Sequence, residues 1–189
     1  MIAPMPQRIV VGLSGSLRRG SLNTMLLRAA RALAPDTLQV EIASIRDIPL
    51  YDGDLESERG VPDAVRALKD RIASAAGLLL VTPEYNNSIP GVFKNAIDWL
   101  SRPTADIARV FGDRPVALMG ATLGPGGTIL AQTAWLQVLR TLGTRPWCGP
   151  RLMVSRADTV FDAEGNLKDE ALATRVRDFM AGFARFMGA

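Results

Sequence analysis

The segment Gly12–Asn23, GLSGSLRRGSLN, most constrains the fold of this 189-residue chain, because it joins a strand pattern directly to a helical pattern. Arg8–Leu13 is an apolar run typical of a strand, and Leu22 opens an apolar stripe at helical spacing. The glycines between them let the main chain turn tightly and approach a ligand closely. A helix that starts near Ser21 directs its unpaired N–H groups and the positive end of its dipole at this loop. The segment therefore predicts a strand, an anion-binding loop and a helix.

The side chains of this loop suit a single phosphate group. Hydroxyls, an amide and guanidinium groups come from Ser14, Ser16, Arg18 or Arg19, Ser21 and Asn23. A glycine-rich turn with a serine N-cap is the structural alternative, but a cap needs one hydroxyl and this loop offers several.

Two better-known phosphate loops fit these residues less well. Gly15 and Gly20 have the glycine spacing of a Walker A loop, but Ser21 stands where that loop needs its lysine. The dinucleotide fingerprint is also missing, because Gly12 and Gly15 are three residues apart and Gly20 lies five further on. The loop therefore favours a mononucleotide over ATP or a Rossmann-bound dinucleotide.

The chain contains no histidine and a single cysteine, Cys148. This composition excludes Ser-His-Asp and Cys-His catalysis, an imidazole base, the commonest zinc ligand and an internal disulfide. The Asp and Glu residues show no metal-ligand clustering, so we expect no metal site. If the chain is an enzyme, a bound cofactor carries the difficult chemistry.

Composition also bounds the partners. The net charge is +3 with dispersed basic residues, which argues against nucleic acid. No apolar run reaches the roughly 18 residues that span a bilayer, so we expect no membrane partner. The N-terminal MIAPMPQR is too short and too weakly apolar for a signal peptide, which predicts a cytoplasmic protein.

Strand and helix patterns alternate along the chain, which we expect to form one domain over residues 1–189. Five such pairs predict a parallel, doubly wound three-layer sandwich, with its ligand beyond the carboxyl ends of the strands. The predicted strands are Arg8–Leu13, Thr37–Ala43, Gly77–Thr82, Arg114–Ala121 and about Thr144–Val154. The later predicted helices are Asp63–Ala75, Ser88–Ser101, Thr128–Leu142 and Leu167–Met187, and Ile45–Pro62 is a predicted long loop.

Two further loops are expected to meet the phosphate loop at that edge. Thr82–Ser88, TPEYNNS, combines an aromatic ring, two amides and free main-chain N–H groups, which suits a flat heteroaromatic ring. The alternative is an asparagine-rich turn capped by Ser88. Gly120–Gly127 has four glycines in eight residues, so it either lies against a ring or forms a flexible connection.

Two motifs in this order, GSLRRGSLN and PEYNNSIPGVFKNAIDWLSRP, resemble the NADPH-dependent FMN reductase family, which includes quinone, chromate and azo-dye reductases. The third loop, ATLGPGG, matches that family more loosely. The resemblance implies a flavodoxin-like three-layer α/β/α sandwich with a five-stranded parallel sheet in the order 2-1-3-4-5. It also implies bound FMN, with NADPH or NADH as electron donor. The expected cofactor-binding residues are Ser14, Ser16, Arg18, Ser21, Leu22, Asn23, Pro83, Glu84, Tyr85, Asn86, Ser88, Thr122 and Gly124.

The resulting interpretation is an oxidoreductase that passes electrons from reduced nicotinamide through FMN to a quinone-like or other small-molecule acceptor. The hydride chemistry belongs to flavin N5, so no catalytic side chain is expected. One alternative is a flavodoxin-type electron carrier without a nicotinamide site, although flavodoxins are typically acidic and this chain has a pI near 9.5. Another is a regulatory protein that leaves the flavin site unused.

A homodimer, or a dimer of dimers, is expected for two reasons. A flavin that accepts hydride leaves one ring face open, and a small monomer would expose that apolar surface. The predicted helix Ser88–Ser101 carries apolar residues around more than one face, among them Phe93, Ile97, Trp99 and Leu100. The resemblance points the same way, with the loop Ile45–Pro62, including Tyr51, reaching the neighbour's flavin.

Overall fold

The computed structural model describes residues 7–188. The strands are β1 (Arg8–Ser14), β2 (Leu38–Ala43), β3 (Gly77–Val81), β4 (Pro115–Ala121), β5 (Arg145–Pro146) and β6 (Leu152–Val154). The helices are α1 (Leu22–Ala32), α2 (Gly53–Arg59), α3 (Asp63–Ser74), α4 (Gly91–Leu100), α5 (Ile107–Phe111), α6 (Ile129–Thr141) and α7 (Glu170–Phe186). None of the helices within residues 7–188 is both long and apolar enough to cross a bilayer.

The strands form one parallel sheet in the order β2-β1-β3-β4-β5, and β6 also pairs with β4. The predicted order 2-1-3-4-5 is therefore confirmed, with a sixth strand added. Gly12 lies opposite Ile42 on one side and Leu79 on the other, so the carboxyl ends of the first three strands lie side by side. The loops after these ends consequently share one edge of the sheet.

Both faces of the sheet are buried, as expected for a parallel sheet between helical layers. Val10 packs in a cluster with side chains of α1 and α7. Its neighbour Val11 points the other way, into a cluster with α3, α4 and α6. The alternation along β1 thus accounts for the three layers, and the loops at the carboxyl edge rest on a rigid base.

The predicted loop Ile45–Pro62 is wrong in part, because it contains the short helix α2. Asp52 caps this helix, and its side chain accepts a hydrogen bond from the Asp54 N–H. Acidic residues in the first turn add a favourable interaction with the helix dipole. No side chain of α2 is buried, so an apolar stripe could not reveal it.

The predicted helix Ser88–Ser101 begins three residues late, at Gly91. Asn86 and Asn87 have φ values of 49° and 61°. Asparagine tolerates this left-handed conformation well, but a right-handed helix cannot include it. Tyr85 and Ser88 exchange two main-chain hydrogen bonds of 3.0 and 3.1 Å around this pair. The segment is therefore a two-residue hairpin turn, and Ser88 does not cap a helix.

The predicted fifth strand, about Thr144–Val154, is two short strands separated by an excursion. Both β5 and β6 pair with β4, at its start and at its end. The N–H of Trp147 still donates to the Val116 carbonyl of β4 at 2.8 Å, and its ring packs edge-on against Phe179 of α7, with the centroids 4.8 Å apart. The chain leaves the edge after this residue. Pro150, which has no N–H to donate to a neighbouring strand, lies in the interruption between Trp147 and β6.

Candidate functional site

The loops after β1, β3 and β4 meet in a cleft of about 130 Å³ at the carboxyl edge of the sheet. Nine of the thirteen predicted site residues line it, together with Ala121 and Leu123, which were not predicted as site residues. Neither addition carries a chemical signal in the sequence: Ala121 is the last residue of β4, and Leu123 follows it in the next loop. The lining residues are Ser16, Arg18, Ser21, Leu22, Asn23, Pro83, Glu84, Tyr85, Ala121, Thr122 and Leu123.

Four predicted residues lie outside this lining. Ser14 lines an adjoining cavity, where its hydroxyl accepts a hydrogen bond of 3.0 Å from the Thr24 hydroxyl. Asn86 and Ser88 belong to the exposed turn that follows Tyr85. Gly124 lies further along the third loop, where its N–H donates weakly to the Thr122 hydroxyl at 3.4 Å. Their roles toward a cofactor remain predictions.

The first loop is fixed to the sheet before it reaches the cleft. The Gly15 N–H donates to the carbonyl oxygen of Val81, at 2.9 Å, and so ties the loop to the end of β3. A Cβ at Gly15 would overlap the ring of Phe93, so only glycine allows this close approach. The loop then turns to Ser21, the predicted N-cap of α1, whose hydroxyl accepts from the Thr24 N–H at 3.2 Å.

The donors of this loop match a phosphate group. Within residues 7–188 the main-chain N–H groups of Leu22 and Asn23, at the start of α1, have no hydrogen-bond partner. The Ser16 and Ser21 hydroxyls and the Arg18 side chain line the same cleft. Unpaired N–H groups at a helix start, hydroxyls and one guanidinium together form an anion site of the kind that phosphate occupies.

Asn23 connects this loop to the loop after β4. Its Nδ2 donates to the Ala121 carbonyl at 2.8 Å, and its Oδ1 accepts from the Ala121 N–H at 2.9 Å. The side chain is 3% exposed, so both bonds are shielded from water. Asn23 therefore aligns two walls of the cleft, which the sequence-based phosphate role did not include.

The second loop presents an exposed aromatic ring on a rigid base. Pro83 is buried, and the Thr82 hydroxyl beneath it donates to the Pro83 carbonyl at 2.8 Å. The indole N–H of Trp135, in α6, donates to the same hydroxyl at 3.1 Å. Tyr85 is 46% exposed at the cleft and can offer one side of a flat ligand an apolar surface. Glu84 faces α6 and binds its first turn.

The third loop begins at a position that requires glycine. A Cβ at Gly120 would collide with the carbonyl oxygen of Thr82, in the loop after β3, and with the hydroxyl of Thr128, the N-cap residue of α6. The exposed apolar side chain of Leu123 follows at the cleft. The glycine-rich loop is therefore packed closely against its neighbours at its start, and it is not merely a flexible connection there.

A network of polar contacts anchors the segment before α2 to α4. The indole N–H of Trp99 donates to the Pro49 carbonyl at 3.0 Å, and Tyr51 packs edge-on against the same indole. The Tyr51 hydroxyl donates to Glu56, which also accepts from Arg102 at 2.8 Å. The bond from Arg102 lowers the pKa of the Glu56 carboxyl, and the bond to Glu56 raises the pKa of the Tyr51 phenol.

The apolar residues of α4 give no support to a partner subunit, contrary to expectation. Phe93, Ile97, Trp99 and Leu100 of α4 are all buried within the chain itself. They pack against β-strands, α3 and the anchored segment, so they leave no surplus apolar face. Trp99, for which core and interface were both open, belongs to the core.

Comparison with known proteins agrees with this architecture and its loops. Residues 9–159 match the family described as NADPH-dependent FMN reductase. An NAD(P)H-dependent FMN reductase of Pseudomonas aeruginosa is 44% identical over 161 residues, which cover 85% of each chain. A 2-hydroxy-1,4-benzoquinone reductase of a Burkholderia species is 39% identical over 173 residues, which cover 92% of each chain.

A quinone reductase of Escherichia coli is 38% identical over 181 residues, 94% of each chain. Among solved structures, the flavoenzyme NAD(P)H:(acceptor) oxidoreductase FerB from Paracoccus denitrificans superposes with a TM-score of 0.86 at 34% identity. The superposition covers 96% of this chain and 97% of FerB. The similarity thus extends over the sheet, the helices and all three loops of the cleft.

Proposed function

Because this chain belongs to the NADPH-dependent FMN reductase family, we propose that it is an FMN-dependent NAD(P)H oxidoreductase that reduces quinone-like acceptors. The observation that carries the proposal is the meeting of a one-phosphate loop, an aromatic loop and a glycine-rich loop in one cleft. Relatives named as quinone reductases and as a benzoquinone reductase support the acceptor class.

The donor set of the cleft fits FMN. The N-terminal N–H groups of α1, the hydroxyls of Ser16 and Ser21, and Arg18 would hold the single phosphate. Pro83 and Tyr85 would border the isoalloxazine ring, and the loop after β4 would lie along it. When bound, FMN supplies two-electron chemistry, so that NAD(P)H, a proton and a quinone become NAD(P)⁺ and a hydroquinone.

The protein's own part in this reaction is placement. Asn23 keeps the phosphate loop and the third loop at a fixed separation, because its two bonds to Ala121 are buried. Because Gly15 has no side chain, the phosphate loop packs directly against the ring of Phe93, close to the end of the sheet. No histidine exists in the chain to act as an acid or base, which agrees with chemistry located on the flavin.

The rival interpretation, a flavodoxin-type carrier, receives less support. The relatives are named as reductases that use NAD(P)H, and a solved structure at 34% identity is named as an NAD(P)H:(acceptor) oxidoreductase. The basic balance of the chain, +3, also differs from the acidic balance typical of flavodoxins. Since its donor is a cytoplasmic metabolite, we expect the protein to act in the cytoplasm.

We also infer a homodimer, or a dimer of dimers, as the active form. Leu50 is 80% exposed, and it lies between Pro49 and Tyr51, which are both tied to α4. A rigidly held, exposed leucine beside a half-exposed tyrosine suits burial against a second copy. Light scattering at micromolar concentration tests this, with Leu50→Asp as the disrupting variant, and a fully active monomer of about 20 kDa would contradict it.

The decisive experiment is an absorption spectrum of the purified protein before and after NADPH is added. We expect a flavin spectrum that bleaches with NADPH and recovers with a quinone. Fluorescence titration of the apoprotein should show tighter binding of FMN than of FAD, because the loop serves one phosphate. A protein that takes up no flavin, or a flavin that NADPH does not reduce, would reject the proposed function.

A further inference from the structure

A second, basic cavity lies on the other side of the phosphate loop, between α1 and the carboxyl end of β2. Its volume is about 300 Å³. Four arginine side chains line it, and the remaining lining residues are hydroxyl-bearing or apolar. The arginines are Arg18, Arg19, Arg28 and Arg46, and the others are Ser14, Ser16, Leu17, Thr24, Ile42, Ala43, Ser44 and Ile45.

The positive charge of this cavity is not neutralised by the protein. No carboxylate lines it, and within residues 7–188 none of its four guanidinium groups lies within 4.0 Å of an acidic side chain. Elsewhere in the chain, Arg102 and Arg109 are paired with acids. Like charges that lie close together without acidic partners repel one another. An anion that binds among these guanidinium groups lowers that repulsion, so the cavity favours anionic ligands.

The cavity is built rather than incidental. Arg46 is held at two points, because its Nη2 donates to the Leu17 carbonyl at 2.7 Å and its N–H donates to the Ser44 hydroxyl at 3.1 Å. The first bond joins the end of β2 to the phosphate loop. Ser16 and Arg18 line both this cavity and the cofactor cleft, so the two spaces adjoin.

The number of arginines exceeds what FMN requires. A single phosphate is served by the start of α1, two serine hydroxyls and Arg18, on the cleft side of the loop. Arg19, Arg28 and Arg46 face the second cavity and remain for another anionic group. Because Ser16 and Arg18 line both spaces, a molecule bound in the flavin cleft can place such a group among these arginines.

We propose that this basic cavity binds the 2′-phosphoadenosine end of NADPH and thereby favours NADPH over NADH. The inference rests on the proposed function and adds its donor preference. Since neighbouring strands lie about 4.8 Å apart, the ends of β2 and β3 are separated by roughly 10 Å, with β1 between them. An extended dinucleotide spans this distance, with nicotinamide at the cleft and the 2′-phosphate among the arginines.

The test compares the two donors in the FMN-loaded enzyme. The Arg19→Ala/Arg28→Ala double variant, which leaves the bond from Arg46 to the phosphate loop intact, should lose about ten- to a hundredfold in kcat/KM with NADPH, mostly through KM, because charge-assisted bonds to phosphate are removed. Turnover with NADH and the affinity for FMN should change little. Arg175→Ala, which removes an exposed arginine from α7, serves as the matched control and should leave both donors unaffected.

A binding measurement makes the test independent of turnover. Calorimetry with 2′,5′-ADP and with 5′-AMP should show that the wild type prefers the 2′-phosphate and that the double variant loses this preference. Equal losses with NADPH and NADH, or a loss of FMN affinity, would overturn the proposal by assigning the arginines to a shared phosphate. Unchanged kinetics with both donors would overturn it as well, whereas failure of flavin uptake in the wild type would instead reject the proposed function.

Discussion

The carboxylate of Glu84 and the main chain of Leu130 are joined by a hydrogen bond of 2.8 Å, so the loop after β3 caps the helix that follows β4. The same oxygen accepts from the Ala131 N–H at 2.9 Å. Thr128, the N-cap residue of α6, makes no side-chain hydrogen bond to the start of this helix. Glu84 therefore satisfies two unpaired N–H groups and fixes the position of Tyr85 relative to α6.

Replacement of Glu84 by alanine should lower the free energy of unfolding by about 1 kcal/mol, as expected for loss of a helix cap. Glu84→Gln should lose less, since an amide oxygen can still accept. Urea unfolding of the apoprotein measures both changes. Glu58→Ala, which removes an exposed glutamate from α2, is the control, and a Glu84→Ala variant as stable as this control would contradict the capping role.

Arg18→Ala should weaken FMN binding by about ten- to a hundredfold, because a charge-assisted bond to phosphate contributes roughly 1.5–3 kcal/mol. The fold should change little, since the side chain is exposed. Fluorescence titration with FMN measures the effect, with riboflavin as the comparison that lacks the phosphate. If FMN affinity is unaltered, the phosphate role passes to Arg19 or to the main chain alone.

Asn23→Ala should reduce both stability and FMN affinity. The change leaves the N–H and carbonyl of Ala121 without partners in a buried site, which costs about 1–3 kcal/mol. Urea unfolding measures the first effect and flavin titration the second. Gln137→Ala, which removes an exposed amide from α6, should change neither quantity. A stable variant with weakened FMN binding would mean that Asn23 serves the phosphate only.

The sequence predicted the first and third strands and the start of α1 because they depend on local patterns. Apolar runs mark β1 and β3, and Ser21 precedes α1 as a hydroxyl cap should. The family resemblance supplied the sheet order, the cofactor and thereby the expected roles of Pro83 and Tyr85.

The features that the sequence did not predict depend on contacts between residues that are far apart in the chain. Asn23 binds Ala121, 98 residues away, and Glu84 binds a helix 46 residues away, so neither role has a local signal. Helix α2 buries no side chain, and the ring of Trp147, beside the edge strand, packs against Phe179 of α7. These features follow from tertiary contacts that override the local pattern.

Gly120→Ala should destabilise the protein by about 1–3 kcal/mol or more, because the new methyl group meets the main chain of Thr82 and cannot displace it cheaply. The strain would also separate the loops after β3 and β4, so FMN affinity should fall. Gly126→Ala provides a matched control in the same loop, since nothing lies within 4 Å of its added Cβ. Equal thermal stability of the two variants would disprove the close approach at Gly120.

The pair formed by Glu56 and Arg102 should make stability depend on pH in the acid range. Arg102 lowers the pKa of Glu56, so the folded state releases this proton more readily than the unfolded chain. The pair's contribution is complete above the unfolded pKa of about 4.3 and is lost as the pH falls through the lower folded value. In urea unfolding from pH 7 to pH 3, Glu56→Gln should therefore be less stable than the wild type at pH 7, with the difference shrinking below about pH 4. Glu58→Gln, on the same helix, is the control and should have the same free energy of unfolding as the wild type at every pH. If the stability difference between Glu56→Gln and the wild type is constant with pH, the anchor of the Tyr51 segment does not depend on the charge of Glu56.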